Sequence, residues 1–261
     1  MFYRTDEFLN NLIRLVRECN TIILNVYETN FDVTQKTDNS PLTIADKLVN
    51  EHICKYLSSF KNTLIISEEN KNAPYSERKN NEFCWLVDPL DGTKEFIKKN
   101  GQFTVNIGLV RSGTPVFGIV SIPVSGEIYY GIDSVGSFKI SENCKKKLSV
   151  QIKDFSDKNL NIVSSLSHTN KMTTDFIKQF SDANIVTIGS SIKLLYIAEG
   201  KADIYPRLSP TYEWDTCAAH AVIKYAGGRL VNYDEKNKIM LLRDDIIYNK
   251  ENLLNPFFIA Y

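Results

Sequence analysis

Two aspartates, Asp88 and Asp91, stand three residues apart at the end of an apolar run, just before Gly92 and Thr93. Two carboxylates at the mouth of a buried strand repel each other by roughly 4 kcal/mol at ~4 Å and an effective dielectric constant of about 20. A hard divalent cation with oxygen ligands would offset that repulsion. Aspartate and glycine also form ordinary polar turns, so this stretch alone leaves a metal site and a turn as equal alternatives.

Further acids stand at the ends of other predicted elements. Glu68 follows a short β-rich run. Asp46 and Asp215 lie in the first turns of predicted helices, where the helix dipole alone would explain an acid. Together, the candidate ligands form an oxygen-only set without thiol or imidazole: Glu68, Asp88, Asp91 and Asp215. Such a set favours Mg²⁺, with Mn²⁺ as a substitute, over Zn²⁺ or Cu²⁺.

The first half of the chain predicts an α+β lobe with an antiparallel sheet. Apolar residues at helical spacing predict a helix over residues 6–27. Thr43 with Asp46 resembles a capping box before a second helix. Runs rich in β-formers and bounded by turn residues predict strands over 63–66, 83–87, 103–111, 115–122, 127–132, 136–140 and 148–152. We expect Pro89 to end the strand before it and residues 70–82 to form a loop.

The second half of the chain alternates strands with helices from about residue 159, which predicts a layered α/β lobe. The predicted strands cover 162–163, 184–188, 202–205 and 229–231, and the predicted helices cover 173–180, 190–199 and 214–226. We therefore expect an N-terminal lobe, residues 1–155, with most of the candidate metal ligands. A smaller C-terminal lobe, residues 156–261, would contribute Asp215 and most of the other substrate-binding residues.

Composition limits the class of protein. The 261 residues are 43% hydrophobic, which is enough for a sizeable core. The 31 basic and 31 acidic residues cancel, so there is no electrostatic footprint of a polymeric nucleic acid or a membrane, and Lys145–Lys147 is predicted to be a solvated loop. Five scattered cysteines without a C-x-x-C pair suit reduced thiols. No apolar run reaches the ~18 residues of a membrane helix, so we predict a cytoplasmic protein without a transmembrane segment.

Seven segments, in this order over nearly the whole chain, resemble the motifs of the inositol monophosphatase superfamily of Mg²⁺-dependent, lithium-sensitive phosphatases. They are residues 36–46, 64–69, 85–97, 101–108, 188–193, 205–207 and 214–216. Lys94-Glu95-Phe96, in place of the Thr-Asn-Phe usual in inositol monophosphatases, is similar in particular to the 3'(2'),5'-bisphosphate nucleotidase branch of the CysQ type. The resemblance implies the superfamily's layered αβαβα sandwich.

The resemblance also implies roles for individual residues. The implied metal ligands, for two or three Mg²⁺ ions, are Glu68, Asp88, Asp91, Asp215 and the Leu90 carbonyl. Asp46, Thr93 and Glu68 are the implied catalytic residues, and Asp46 with Thr93 resembles the pair that positions the attacking water. The implied reaction is hydrolysis of adenosine 3',5'-bisphosphate to AMP and phosphate by a metal-activated water, extending to 3'-phosphoadenylyl sulfate.

The implied substrate contacts overlap with this set. They are Glu68, Leu90, Asp91, Gly92, Thr93, His168, Ser190, Ser191, Lys193, Arg207 and Asp215. Gly92 and Gly189–Ser191 each precede a predicted helix, whose first N–H groups would hold phosphate oxygens. Two positions depart from the nucleotidase pattern. Leu166 stands where relatives usually carry arginine, and Tyr212 lies in a segment that usually reads Thr-Asn-Ile.

Two alternatives remain beside the nucleotidase. One keeps the chemistry but acts on inositol or sugar phosphates, and the other is a catalytically inactive metal- or nucleotide-binding protein. The implied ligand and water-positioning set is complete in this sequence, which favours an enzyme. The sequence leaves the physiological substrate and the oligomeric state open, and nothing in it requires the association with the inner face of the membrane described for some relatives.

Overall fold

The computed structural model describes residues 1–35, 41–142, 144–166, 170–180, 182–234, 236 and 239–261. Its α-helices are α1 (Asp6–Tyr27), α2 (Ile44–Leu57), α3 (Tyr75–Arg78), α4 (Thr93–Ile97), α5 (Lys171–Ile177), α6 (Ile192–Ala198) and α7 (Glu213–Tyr225). Its strands up to the middle of the chain are β1 (Val33–Gln35), β2 (Pro41–Thr43), β3 (Thr63–Ser67), β4 (Phe83–Asp91), β5 (Thr104–Arg111), β6 (Thr114–Ile122), β7 (Glu127–Ile132), β8 (Gly136–Ser141) and β9 (Cys144–Leu148). The remaining strands are β10 (Asn161–Ser165), β11 (Asn184–Ile188), β12 (Tyr205–Arg207), β13 (Leu230–Asp234), β14 (Ile239–Asp245) and β15 (Phe258–Ala260).

The predicted start of α2 is confirmed in detail. The Asp46 Oδ2 atom accepts hydrogen bonds from the backbone N–H of Thr43 at 2.8 Å and from its hydroxyl at 2.6 Å. The Thr43 Oγ1 atom in turn accepts the Ala45 N–H at 3.2 Å. Because these bonds satisfy backbone donors that the first helical turn leaves unpaired, they hold the Asp46 carboxylate in one orientation.

A seven-stranded sheet is built from the first half of the chain, in the order β3-β4-β5-β6-β7-β8-β9. Strand β3 runs parallel to β4, and the other pairs are antiparallel. The predicted hairpin between β5 and β6 turns at Ser112 and Gly113, whose φ angles of 48° and 82° suit a two-residue turn between twisted strands. The parallel β3–β4 pair brings the ends of these two strands to the same edge of the sheet.

Side chains of the large sheet alternate between two packed layers of helices. On β4, Trp85 and Val87 pack in a core with α1 and α2, whereas Cys84 and Leu86 pack in a core with α6 and α7. A second sheet, in the order β12-β15-β13-β14, covers the far side of α6 and α7, and α5 packs on its outer face. These layers confirm the predicted αβαβα sandwich, in which α7 is central and carries Asp215.

Three glycines let α7 lie directly on the large sheet. Gly108, Gly118 and Gly131 are cross-strand neighbours on β5, β6 and β7, and we call them the glycine track. A Cβ atom added to Gly108 would lie 2.6 Å from the Cys217 sulfur, and one added to Gly118 or Gly131 would overlap a backbone carbonyl of α7. The track therefore sets the depth at which α7, and with it Asp215, sits against the sheet.

We predict that Gly118→Ala lowers the free energy of unfolding by about 3 kcal/mol, because overpacking forces backbone shifts. For a chain of this size that corresponds to a fall in melting temperature of roughly 6–12 °C. Thermal denaturation followed by circular dichroism measures it. Lys146→Ala, at an exposed position on edge strand β9, is the control and is expected to stay within about 0.5 kcal/mol of the wild type. Equal stability of Gly118→Ala and the wild type would refute the packing argument.

Five sequence predictions about local structure were wrong. Strand β4 continues through Pro89 to Asp91, because the β4–β5 register shifts between Asp88 and Asp91 and a proline fits such a bulge. The loop predicted over 70–82 contains the short helix α3. The strand predicted over 148–152 lies earlier in the chain, as β9 at Cys144–Leu148. Lys145–Lys147 therefore belongs to a strand and not to a loop. The strand predicted over 202–205 is β12, which begins only at Tyr205 and continues to Arg207.

The predicted lobe boundary near residue 155 stays a prediction. Helix α7 belongs to the second half of the chain, yet it packs on the sheet of the first half through the glycine track. Within the described ranges, we find no helix with the length and apolar character needed to cross a membrane.

Candidate metal centre and substrate cleft

Three carboxylates from three elements meet at the edge of the large sheet. Glu68 directly follows β3, Asp88 lies near the end of β4, and Asp215 is in the first turn of α7. One oxygen from each lies within 4.8 Å of the other two. The Glu68 N–H donates to the Val87 carbonyl at 3.1 Å, so the parallel pairing of β3 with β4 places Glu68 beside Asp88.

The end of β4 holds its acids through the bulge. The Leu90 N–H donates to Asp88 Oδ1 at 3.0 Å, and the Asp91 carboxylate accepts the N–H of Ser191, which directly precedes α6. Gly92 follows with φ at 94°, and a Cβ there would meet the Gln102 carbonyl at 2.9 Å. The turn therefore requires glycine, and it directs Thr93 into the first position of α4.

Electrostatics in this cluster favour a bound cation. Burial, followed by repulsion from Glu68 and Asp91, raises the pKa of Asp88 well above its ordinary value. Burial raises the pKa of Asp91 to about 6 although Lys193 opposes the shift, and burial also raises the pKa of Asp215. Positive charge among these carboxylates would relieve both effects. An oxygen-only set of this kind fits Mg²⁺, and the donors that would hold it are Glu68, Asp88 and Asp215.

Asp46 reaches the cleft through Thr93. The Asp46 side chain is 1% exposed, and its Oδ1 atom lies 3.2 Å from the Thr93 hydroxyl. The same hydroxyl lies 3.2 Å from the Leu90 carbonyl oxygen. A threonine hydroxyl has a single hydrogen to donate and two lone pairs, so after donating to Asp46 or to Leu90 it still accepts one from a water molecule. Thr93 lines the cleft, and Asp46 acts on it from the protein interior.

Residues 102–106, just before and within β5, position the loop at 189–191. The Gln102 side-chain oxygen accepts the Gly189 N–H at 2.7 Å. The Ser191 hydroxyl donates to the Asn106 side-chain oxygen at 2.8 Å and lies 2.8 Å from the Thr104 hydroxyl. Ser191 thus points toward β5, and its backbone N–H goes to Asp91. The loop is held in place before any ligand binds.

The cleft has a volume of about 640 Å³ and a cationic side. Lys193 is 6% exposed, and burial lowers its pKa to about 8 while attraction to Asp91 opposes the shift. Its ammonium group donates to the Ser190 carbonyl. Arg207 donates one guanidinium N–H to the Pro210 carbonyl at 3.2 Å. Among the described residues, the buried Arg207 Nε and Ser209 hydroxyl have no hydrogen-bond partner.

The structure brings most of the predicted site residues into this one cleft. Those that line it are Glu68, Asp88, Leu90, Asp91, Gly92, Thr93, Ser190, Ser191, Lys193, Arg207 and Asp215, with Asp46 buried beside Thr93. His168 lies outside the described residues. Leu166, at the position where relatives usually carry arginine, is 45% exposed. Sequence reasoning missed Ser209, for which no sequence signal exists, and gave no role to Gln102 and Asn106.

Comparisons with known proteins agree with the geometry. A model of the inositol monophosphatase family matches residues 4–260. The 3'(2'),5'-bisphosphate nucleotidase CysQ of Salmonella typhimurium is 35% identical over 252 residues, covering 96% of this chain and 98% of that protein. The crystal structure of CysQ from Bacteroides thetaiotaomicron matches with a TM-score of 0.78 and 37% identity, covering 94% of this chain and 93% of the other. An IMPase structure from Thermotoga maritima, at 20% identity and a TM-score of 0.76, covers 97% of this chain and 91% of its own and shares the fold.

The chain therefore belongs to the inositol monophosphatase family. The αβαβα layers and the carboxylate cluster between them are what the motifs predicted, so the predicted family and fold class are confirmed. Within the family the chain is of the CysQ type, because curated CysQ proteins match it at 31–35% identity over nearly its whole length.

Proposed function

We propose that this protein is a Mg²⁺-dependent 3'(2'),5'-bisphosphate nucleotidase that hydrolyses adenosine 3',5'-bisphosphate to AMP and phosphate and also accepts 3'-phosphoadenylyl sulfate. The observation that carries the proposal is the convergence of Glu68, Asp88 and Asp215 in a cleft that Lys193 and Arg207 also line. A cation at the reacting phosphate favours hydrolysis of a phosphomonoester, and a bisphosphate needs further donors for its second phosphate. The cleft has residues suited to both.

The roles of the metal ligands follow from their positions. Glu68, Asp88 and Asp215 would hold two or three Mg²⁺ ions, with Asp91 and the Leu90 carbonyl as further ligands. Bound Mg²⁺ supplies positive charge for the phosphate oxygens and lowers the pKa of water. Glu68 has a second, catalytic role beside the attacking water.

The Thr93 hydroxyl orients the nucleophile. It accepts one hydrogen of the attacking water while its own hydrogen is directed to Asp46 or Leu90. Proton transfer or orientation by a positioned side chain contributes typically ~10²–10⁴-fold to a rate. Asp46 is thus a positioning residue that acts through Thr93, and its own orientation is fixed by the cap of α2.

The second phosphate is assigned to the cationic side of the cleft. Arg207 Nε and the Ser209 hydroxyl are buried donors without a partner among the described residues, and an unpaired buried donor costs about 1–3 kcal/mol. Both residues line the cleft, which makes them candidate donors for the oxygens of the second phosphate. Lys193 adds a compact positive charge, and Ser190 presents its N–H and hydroxyl at the start of α6. Ser191 anchors this loop to β5 through the hydrogen bond from its hydroxyl to the Asn106 side chain.

A substrate panel tests the proposed function. Phosphate release is measured with Mg²⁺ on adenosine 3',5'-bisphosphate, 3'-phosphoadenylyl sulfate, inositol 1-phosphate and fructose 6-phosphate. We expect kcat/KM for the first two substrates to exceed that for the others by at least about 100-fold, since desolvated donors left unpaired discriminate strongly against a ligand that lacks the second phosphate. Removal of Mg²⁺ by a chelator should abolish turnover. A preference for inositol 1-phosphate, or turnover without any divalent cation, would reject the proposal.

A further inference from the structure

Two stacked aromatic rings form one wall of the cleft, next to the metal centre. The rings of Tyr212 and Trp214 are parallel, with centroids 4.7 Å apart and planes at 10°. Trp214 is 8% exposed, whereas Tyr212 is 41% exposed, and both line the cleft. One face of the Tyr212 ring is therefore covered by Trp214 and the other is left in contact with water. A large exposed aromatic surface at a concave site is a feature that marks ligand contact.

The backbone beneath this wall is tied to the metal centre. The Tyr212 N–H donates to Asp215 Oδ2 at 2.8 Å. The Tyr212 carbonyl accepts from the Asn255 side-chain amide at 2.7 Å, and Tyr212 also forms an isolated bridge with Leu254. The N–H and the carbonyl of Tyr212 are thus both hydrogen-bonded, so the backbone that carries the ring is held next to Asp215.

The geometry points to Tyr212 as the platform on which the purine base of the substrate stacks, with Trp214 as its support. This inference rests on the proposed function. In a nucleoside 3'-phosphate, the base and the reacting phosphate are attached to C1' and C3' of one ribose ring. A phosphate held at the metal centre therefore places the base about one sugar's width from that phosphate, within the same cleft that Tyr212 lines. A flat heteroaromatic base gains from such a surface, whereas the saturated ring of an inositol phosphate does not.

A purely structural role for the stack makes a different prediction. If Tyr212 only packs over the start of α7, its replacement would lower stability and disturb Asp215, and all phosphomonoesters would be affected alike. A stacking role affects only substrates with a base. The comparison substrate is methyl riboside 3,5-bisphosphate, which carries both phosphates and the sugar but has no base.

The experiment measures KM and kcat of the Mg²⁺-loaded full-length enzyme for adenosine 3',5'-bisphosphate and for this abasic analogue. Loss of one base–aromatic stack is expected to raise KM for the nucleotide about tenfold in Tyr212→Ser and Tyr212→Leu. The KM for the abasic analogue should stay within about twofold, and Tyr212→Phe should match the wild type on both substrates. Tyr212→Leu keeps the apolar bulk over Trp214 and serves if Tyr212→Ser folds poorly, with the melting temperature as the check.

Each outcome decides between the readings. A rise in KM confined to the nucleotide supports stacking. Equal losses on both substrates, or no change on the nucleotide, overturn the stacking inference and leave the proposed function standing. Failure of the wild type to hydrolyse either bisphosphate overturns the proposed function, and the stacking inference is rejected with it.

Discussion

Asp91→Asn is expected to lower Mg²⁺-dependent kcat by at least about 10³-fold, which corresponds to about 4 kcal/mol of transition-state stabilisation. The substitution removes one negative charge from the cation site but keeps an oxygen that can accept the Ser191 N–H. The fold should therefore survive. Burial raises the pKa of Asp91 despite its attraction to Lys193, so the charged form is less stable in the folded protein than in water. Loss of that charge removes the cost of burying it, and the metal-free variant should melt at a higher temperature than the metal-free wild type.

Three measurements separate this prediction from general damage. Kinetics of phosphate release give kcat, melting in the presence of chelator gives the metal-free stability, and the rise in melting temperature on adding Mg²⁺ reports binding to the native state. The variant should lose most of that rise. Asp175→Asn, at an exposed position on α5, is the matched control and should leave all three quantities unchanged. Retention of wild-type turnover by Asp91→Asn would contradict the proposed role of Asp91.

Thr93→Val should lower kcat by about 10²-fold or more, because the variant keeps the shape of the side chain but has no hydroxyl to orient the attacking water. Thr93→Ser restores the hydroxyl and should recover most of the rate. Mg²⁺ should still stabilise both variants, because Glu68, Asp88 and Asp215 are unchanged and the Thr93 hydroxyl contacts Asp46 and the Leu90 carbonyl rather than these three side chains.

The pattern across kcat and rescue distinguishes a positioning role from a structural one. Loss of the hydroxyl also leaves the buried Asp46 carboxylate with one bond fewer, so Thr93→Val is expected to cost about 1–2 kcal/mol of stability. Thr93→Ser avoids this cost. If serine failed to rescue while the two variants were equally stable, or if valine left kcat intact, Thr93 would have no part in orienting water.

Local chemistry made the carboxylate cluster predictable from the sequence. Acids at the ends of two predicted strands and in the first turn of a helix suggested a common site, and the Thr43–Asp46 spacing gave the cap of α2. Motif resemblance then supplied the family, the fold class and the pairing of Asp46 with Thr93. Each of these motifs consists of a few neighbouring residues, and for that reason it can be recognised in the sequence alone.

Features that depend on contacts between distant segments could not be predicted from the sequence. The hydrogen bond from the Gly189 N–H to the Gln102 side chain joins residues 87 positions apart, and neither residue type indicates it in the sequence. Pro89 suggested the end of a strand, but the bulge that accommodates it is set by the register of β5. The unpaired hydroxyl of Ser209 belongs to one of many serines in the chain, and only the cleft around it makes it notable.

The glycine track bears on how this protein could be altered in the laboratory. A library that varies exposed positions of the cleft lining such as Lys94 and Leu254 samples new substrates without changing any residue of α7 or of the glycine track. Substitutions at Gly108, Gly118 or Gly131, although these are remote from the chemistry, would lift the whole helix and widen the gap between Asp215 and its two partners. Directed evolution toward other phosphate esters should thus find the cleft rim permissive and these three strand positions closed to every larger residue.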